Sequence, residues 1–361
     1  YLRYGVDLKE REEFTFSPVN FGVVLHAVIR EVCDEIKKNG ESYYMISEEK
    51  RREMVERSVT AITDIYQNSI LKDSSRNSFM IKRMEDLADR TIWAMGEQLK
   101  CGDFVPFVFE HKFNMEVGDG DRKQLMSGTI DRVDICENDT DIYVRIIDYK
   151  TGKKDFNIVK TYYGIDIQLM VYMEAAMKLV AKMRPGKNVI PAGVFYYNIS
   201  DPIVSATTES AEEIEDKIKG ELRLKGMVNS DKDIAEKMDN TEGTSLNIPV
   251  SRKADGGFDS RRSKVMNTEQ FNMLGRFVDV RAVDTADRIA GGDIRRSPYK
   301  DGQFSSCDRC PYGAVCGFSV DLPGCNYRKL KKFDDEVLWN NIKEGVDENG
   351  KKMDTGAEER D

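Results

Sequence analysis

Apolar and polar positions alternate with two different periods along this chain, and the changes of period mark out its elements. Residues 18–38 (PVNFGVVLHAVIREVCDEIKK) carry apolar side chains at helical spacing, with Pro18 and Asn20 near the start, and predict a helix. Residues 47–71 and 77–100 predict two more, the second long and amphipathic. The period then shortens to two. Residues 104–117, 125–136 and 141–149 read as strands, with turn signals at GDGDRK (118–123) and ENDTD (137–141), which makes a three-stranded meander. Helical spacing returns over 165–184, and VIPAGVFYYNI (189–199) is a fourth strand. A helix between the third and fourth strands implies a crossover and parallel pairing. Residues 210–226 and 268–291 predict helices, and the polar, Gly-rich stretch 228–262 reads as a long loop. The expected fold class is α/β: a small mixed sheet with helices on its faces. The pattern divides the chain into a helical part (1–103), a core (104–226), a segment of loop, helix and cysteines (227–330) and an acidic tail (331–361), whose end DENGKKMDTGAEERD (347–361) is expected to be mobile.

Composition narrows this picture. The 361 residues suffice for one large domain or two ordinary ones. No apolar run approaches the roughly 20 residues that a membrane helix needs. No signal peptide is visible, and the chain begins YLRYGVDLKERE without Met, so it reads as a piece of something longer. Seven cysteines, an odd number without framework spacing, argue against a secreted disulfide fold and for a cytoplasmic setting. The net charge of -9 does not favour nucleic acid as a partner, yet it does not exclude one, because a metal site itself needs carboxylates. No G-x-x-x-x-G-K-[ST] loop occurs, so ATP use is not expected of these residues.

The candidate chemistry centres on RIIDYKTG (145–152). Asp148 and Lys150 are two apart on a strand and share a face, with Tyr149 opposite. Alone, such a pair is an ordinary surface ion pair. The two preceding strands, however, carry Glu110 in VFEHKF and Asp131 in SGTIDRVD. Three carboxylates meeting at one end of a meander call for a cation, and hard oxygen donors point to Mg2+ or Mn2+. Such an ion lowers the pKa of a bound water and neutralises a phosphate, and Lys150 would face that water. Gln168 and Tyr172, at i and i+4, share a helix face and can contact a phosphate or orient a base; alone they would be a surface Gln and a core-edge Tyr. His26 sits on the apolar side of its helix, as a core histidine or an extra ligand. His111 directly follows Glu110, takes the opposite face and reads as structural.

SSCDRCPYGAVCGF places Cys307, Cys310 and Cys316 as C-x2-C-x5-C, a spacing typical of metal or cluster sites. No fourth ligand is local by spacing; Cys325 is the nearest candidate. Cys33 and Cys101 read as small core residues, and Cys136 ends a strand.

The order G-x-x-D-R-x-D, then D-Y-K-T-G, then Q-L-x-x-Y resembles the nuclease motif of the RecB family within the PD-(D/E)xK superfamily. Asp148 stands for the leading aspartate, with Ile147 where that motif has Pro, and Asp131 comes from the preceding strand. The resemblance implies a restriction-endonuclease-like core and Mg2+-dependent (or Mn2+-dependent) hydrolysis of DNA. In it Asp131, Asp148 and the Tyr149 carbonyl bind metal, and His26 and Glu110 complete the site. Lys150 positions the water, and Gln168 and Tyr172 support the substrate. Over residues 1–330 the chain is also similar to the C-terminal nuclease region of the AddB family of helicase–nuclease subunits. That likeness implies double-strand-break end processing and recombinational repair, a single-stranded DNA end as substrate, an AddA-type helicase subunit as partner and no membrane. It also implies a 4Fe-4S cluster held in part by Cys307, Cys310 and Cys316. The family's remaining cluster cysteine lies just ahead of the segment seen here as YLRYGV, so the cluster is expected to be absent or incomplete in this chain, with Cys325 a bystander. DSRRSK (259–264) and IRRSPYK (294–300) are candidate strand contacts or solvated loops. The competing readings are a stand-alone cluster-containing RecB-family exonuclease and a non-catalytic nucleic-acid interaction module.

Overall fold

The structure is a computed structural model that describes residues 18–65, 75–117, 124–205, 209–308 and 310–355. Three helices come first: α1 (Pro18–Lys38), α2 (Glu48–Ile65) and α3 (Ser75–Lys100). Their apolar residues recur at three- and four-residue spacing, so each helix has one stripe to bury. Leu25, Val28, Ile29 and Val32 of α1, Val55 and Val59 of α2, and Met84 and Ile92 of α3 close against Tyr149, Phe195 and Tyr197 of the sheet in one core. The helical part is therefore the cover of one sheet face.

The sheet runs β1 (Val105–Val117), β2 (Gln124–Glu137), β3 (Asp141–Lys150), β4 (Asn188–Asn198), β5 (Lys225–Asn229) and β6 (Val265–Met266) in spatial as well as chain order. The pairings are antiparallel except β3–β4 and β5–β6. The expected crossover between β3 and β4 is made by α4 (Ile158–Tyr162) and α5 (Gln168–Met183). After β4 come α6 (Ala211–Glu221), α7 (Lys232–Met238) and α8 (Thr268–Ala290). Helices α5 and α8 cover the second face, where Leu169, Met173, Val180, Leu274 and Phe277 meet Val133, Val144, Ile146 and Val194. With both faces covered, β3 is buried continuously from Ile142 to Tyr149.

Several expected elements are corrected. The helix expected over 210–226 ends at Glu221, after a capping box between Ser210 and Glu213, and Lys225–Asn229 is a strand. The strand is divided between the expected helix, which takes in Gly226, and the expected loop from 228. Gly226 is needed there because a Cβ would lie 1.9 Å from the Val194 carbonyl oxygen. The stretch 228–262 is likewise not a plain loop, since it holds α7, capped by Asp231. The helix expected over 165–184 begins at Gln168, behind a separate short helix capped by Asn157. The segment read as an acidic tail holds α10 (Asp335–Thr355), which packs on α8, buries Leu338 and Ile342 and continues as helix into the stretch expected to be mobile. A small second sheet, unforeseen because its strands are two or three residues long, joins β7 (Tyr299–Asp301), β8 (Phe304–Ser305) and β9 (Arg328–Lys329), with α9 (Gly313–Cys316) between. Residues 1–17, the far end of the second expected helix (66–71), the turn at 118–123 and the last residues, 356–361, lie outside the described residues.

Candidate active site

Strand register sets the site. Phe109 lies opposite Arg132 and His111 opposite Ile130, so Glu110 and Asp131 stand across from each other. The β2–β3 ladder pairs Arg132 with Ile147, and one further step brings Asp131 to Asp148. Asp148 in turn lies beside Tyr196 of β4. The β2–β3 ladder stops at Arg132; beyond it the Tyr149 N–H donates to Asp131 Oδ2 at 2.6 Å instead of to a ladder carbonyl. From there β2 continues with β1 alone, and the cleft that opens holds the acidic side chains. Glu110 has φ 46°, alone among the described non-glycine residues in the left-handed region. Such a conformation costs on the order of 1–3 kcal/mol and persists where the surrounding structure demands it.

His26, on α1, reaches into the cleft. Its Nδ1 lies 3.4 Å from Glu110 Oε1 and 3.4 Å from Asp131 Oδ1. One donor atom from each of these three residues falls within 4.8 Å of the others. Burial works to lower the His26 pKa, but hydrogen bonds and charge from Asp131 and Glu110 outweigh it and push the imidazole up to about 10. The local field thus favours a cation at this point, and one imidazole nitrogen with carboxylate oxygens around it is a donor set that fits a divalent ion. The Tyr149 ring braces His26 edge-on at 5.8 Å.

Asp148 is buried beside Asp131, and desolvation together with that neighbouring charge raises its pKa to about 6. Its Oδ2 lies 2.6 Å from Lys150 Nζ. Gln168, the first residue of α5, ties these groups together: its oxygen accepts from Lys150 Nζ (3.1 Å). Its amide nitrogen lies 3.1 Å from Asp148 Oδ1 and 2.9 Å from Tyr172 Oη. Tyr172 packs edge-on against Phe113, and Gly128 leaves room for both rings.

His26, Glu110, Asp131, Asp148, Lys150, Gln168 and Tyr172 therefore meet in one cleft. The structure adds residues that the sequence did not flag. Asp166 accepts the Tyr196 hydroxyl at 2.7 Å and pairs with Lys154 at 3.2 Å. The Lys150 and Lys154 ammonium groups lie 5.6 and 5.3 Å from the centroid of the Tyr196 ring. The Asn198 side chain clamps the loop after β3, accepting from Lys154 N (2.9 Å) and donating to Lys154 O (3.0 Å). The run KTGKK beyond the motif was a signal for Lys154; nothing local marks Tyr196, which only the register brings to the site.

Cys307, Cys310 and Cys316 are free thiols in the segment from the end of β8 to the end of α9, and Cys310 is exposed. Asp308 anchors their loop through Ser305, and Arg296 donates to the carbonyls of Cys316 and Gly317. Arg295 pairs with Asp293, so the IRRSPYK arginines are engaged locally. Cys33 is buried as expected, whereas Cys101, also expected in the core, is only half-buried; Cys136 is buried and Cys325 half-buried.

Residues 1–317 match the family described as the PD-(D/E)XK nuclease superfamily, and the chain belongs to that family. Within it, the chain is 34% identical over 370 residues to an ATP-dependent helicase/deoxyribonuclease subunit of Lachnoclostridium phytofermentans, covering 99% of this chain and 32% of that protein. It is 34% identical over 372 residues to the subunit of the same name from Caldanaerobacter subterraneus subsp. tengcongensis, covering 100% of this chain and 32% of that one. For the subunit of that name from Clostridium acetobutylicum the identity is 33% over 360 residues, with 97% and 31% covered. The chain thus spans about a third of the length of the curated relatives it matches. Both resemblances read from the motifs are borne out at this level, and so is the α/β architecture.

Proposed function

We propose that this chain is the nuclease portion of a helicase–nuclease subunit and hydrolyses phosphodiesters of single-stranded DNA with Mg2+. The observation that carries the reading is the row Glu110–Asp131–Asp148 at the split between β2 and β3, with Lys150 and His26 against it. Asp131, Asp148, the Tyr149 carbonyl and His26 would hold the ion, with Glu110 adjusting the charge. When bound, Mg2+ supplies charge to offset the phosphate and acidifies a coordinated water.

The chain's own groups do the rest. Lys150 is held between Asp148 and Gln168 with its ammonium partly exposed to the cleft. There it donates to the attacking water and to a phosphate oxygen. The water oxygen bonds to phosphorus, the ester bond to the leaving oxygen breaks, and the proton released ends on solvent or on that oxygen. Gln168 keeps Lys150 aimed, and Tyr172 holds Gln168. The relatives' name includes a helicase and describes each of them as one subunit, which supports a partner subunit as the source of the strand. In the same reading Cys307, Cys310 and Cys316 are thiolate ligands of an iron–sulfur cluster; that all three are free thiols at C-x2-C-x5-C spacing supports that role. A visible chromophore after anaerobic reconstitution, absent from Cys310→Ser, tests it.

The nuclease reading is tested on labelled single-stranded DNA. Cleavage should require Mg2+, stop with chelator and vanish in Asp148→Ala. Parent-like cleavage by both Asp148→Ala and Asp131→Ala would overturn it.

A further inference from the structure

A groove of about 1210 Å³ opens beside the active cleft. Its walls are the first half of α3, with Arg76, Phe79 and Arg83, and the loop after β3, with Lys153 and Lys154. We propose that this groove binds the single-stranded DNA leading to Lys150, with Phe79 stacking on a base and Arg76, Arg83 and Lys153 contacting phosphates. The proposal rests on the nuclease reading above and extends it to a second site outside the carboxylate cleft.

Three observations support it. The first is continuity. Thr151 and Gly152, which follow Lys150 directly, line the groove. Phe21 also lines it, five positions ahead of His26 on α1 and so about 7.5 Å along the helix axis. Both the strand and the helix that build the cleft therefore run into the groove wall.

The second is chemistry. Arg76, Phe79 and Arg83 follow i, i+3, i+7 and share one face of α3. Phe79 is 65% exposed, so its ring is open to a ligand in the groove. Six basic against four acidic side chains line the groove, although the whole chain carries -9. Two of those acids, Asp155 and Asp201, are paired with Lys264 and Arg90 outside the lining, and two of the bases, Lys82 and Lys154, with Glu85 and Asp166 outside it, so the excess of two basic side chains stands. A positive groove with an exposed aromatic ring is what an unpaired strand requires, since its phosphates need cations and its bases offer flat faces. A duplex would keep its bases stacked away from Phe79.

The third is preformation. Asn198 clamps both the N–H and the carbonyl of Lys154, and Asp166 with Tyr196 hold the Lys154 ammonium. The basic loop is thus set in place before any ligand arrives, which lowers the ordering cost of binding.

The test is anisotropy of a fluorescein-labelled oligothymidylate titrated with the full chain in chelator, so that nothing is cleaved. Phe79→Ala should weaken binding about tenfold or more, the range for loss of one base–aromatic stack. Arg83→Glu should weaken it as well and flatten the salt dependence by about 0.7 in log–log slope per lost phosphate contact, and Arg83→Lys should retain most of the affinity. Lys182→Glu, the same charge change at an exposed position on α5 away from the groove, should bind like the parent chain. Circular-dichroism melts at the parent temperature exclude unfolding as the cause. Parent-like affinity in Phe79→Ala and Arg83→Glu, or equal competition by duplex, overturns the groove. Cleavage by the parent chain with Mg2+ is scored separately. If DNA is cut while the variants bind normally, the groove alone falls; if DNA is not cut at all, the nuclease reading falls.

Discussion

Asp131 and Asp134 are three residues apart on β2, yet they belong to opposite kinds of charge cluster. Asp134 is fully buried between two guanidinium groups: Arg132 holds both its oxygens (2.7 and 2.6 Å), and Arg145 Nε adds a third bond at 2.8 Å. Burial alone would raise its pKa, but the two arginines hold it below the usual carboxylate range. The surplus cation, Arg145, rests on the Phe104 ring at 4.9 Å. The cleft has the reverse balance. Glu110, Asp131 and Asp148 face one imidazole and one ammonium, and Asp148 is pushed up to about 6. The sealed cluster supplies the counter-charge of Asp134 from within, although Nη1 and Nη2 of Arg145 find no hydrogen-bond partner among the described residues, and it is closed to solvent. The open one lacks positive charge and meets solvent, so a cation or a reacting group can enter. Acidic residues of one strand become scaffold or chemistry according to whether their counter-charges are supplied from within.

Exchange of roles is the strongest way to break this contrast. Asp134→Ala should cost about 3–5 kcal/mol of stability, because it strands two buried guanidinium groups, as measured by guanidinium denaturation. Asp148→Ala should leave the midpoint unchanged or raise it, since the folded state already disfavours that ionised carboxylate, while cleavage is lost. If Asp148→Ala proved the more destabilising of the two, the contrast would fail.

Lys150→Ala should retain divalent-ion binding in calorimetry and lose cleavage by about 10²–10³-fold, the scale for one donor aimed at developing charge. An equal loss of ion binding would contradict its placement on the substrate side.

Gly128→Ala probes the packing behind the cleft. Its Cβ would lie 2.8 and 2.9 Å from Phe113 ring atoms and 3.4 Å from Tyr172. The overpacking should cost about 1–3 kcal/mol and lower the cleavage rate by displacing Tyr172 from Gln168. Thermal melts and steady-state rates read the two effects.

The smallest effect concerns a carboxylate pair outside both clusters. Asp279 on α8 is raised to about 8 by burial and by its hydrogen bond and repulsion with Glu174 on α5, partly offset by Lys178. A raised carboxylate pKa favours folding while the group is protonated, so this contribution is complete below about pH 4 and is lost as pH rises through about 8. Asp279→Asn should flatten the decline in melting temperature between those values; an unaltered slope would show that the pair carries no such linkage.

The long elements and the motif were legible from the order of residues alone. Helices α1, α3 and α8 and strands β1 to β4 bury one stripe or one or both faces over many residues, and that burial is written as period. The spacing of Asp148, Lys150, Gln168 and Tyr172 likewise marked its residues, because strand and helix geometry alone place them on common faces. Elements of two to five residues were not legible: β5, β6 and the small sheet are too short for any period, and β5 also carries Gly226. It took the assembled fold to pack α10 on α8, to bring Tyr196 beside Asp148, and to turn Glu110 into the left-handed region opposite Asp131. The same assembly set the division of labour between Asp131 and Asp134. The reason is physical: a local pattern states how much of a residue must be buried, whereas register and packing choose which distant side chain supplies the partner, and charge is settled only when partners meet.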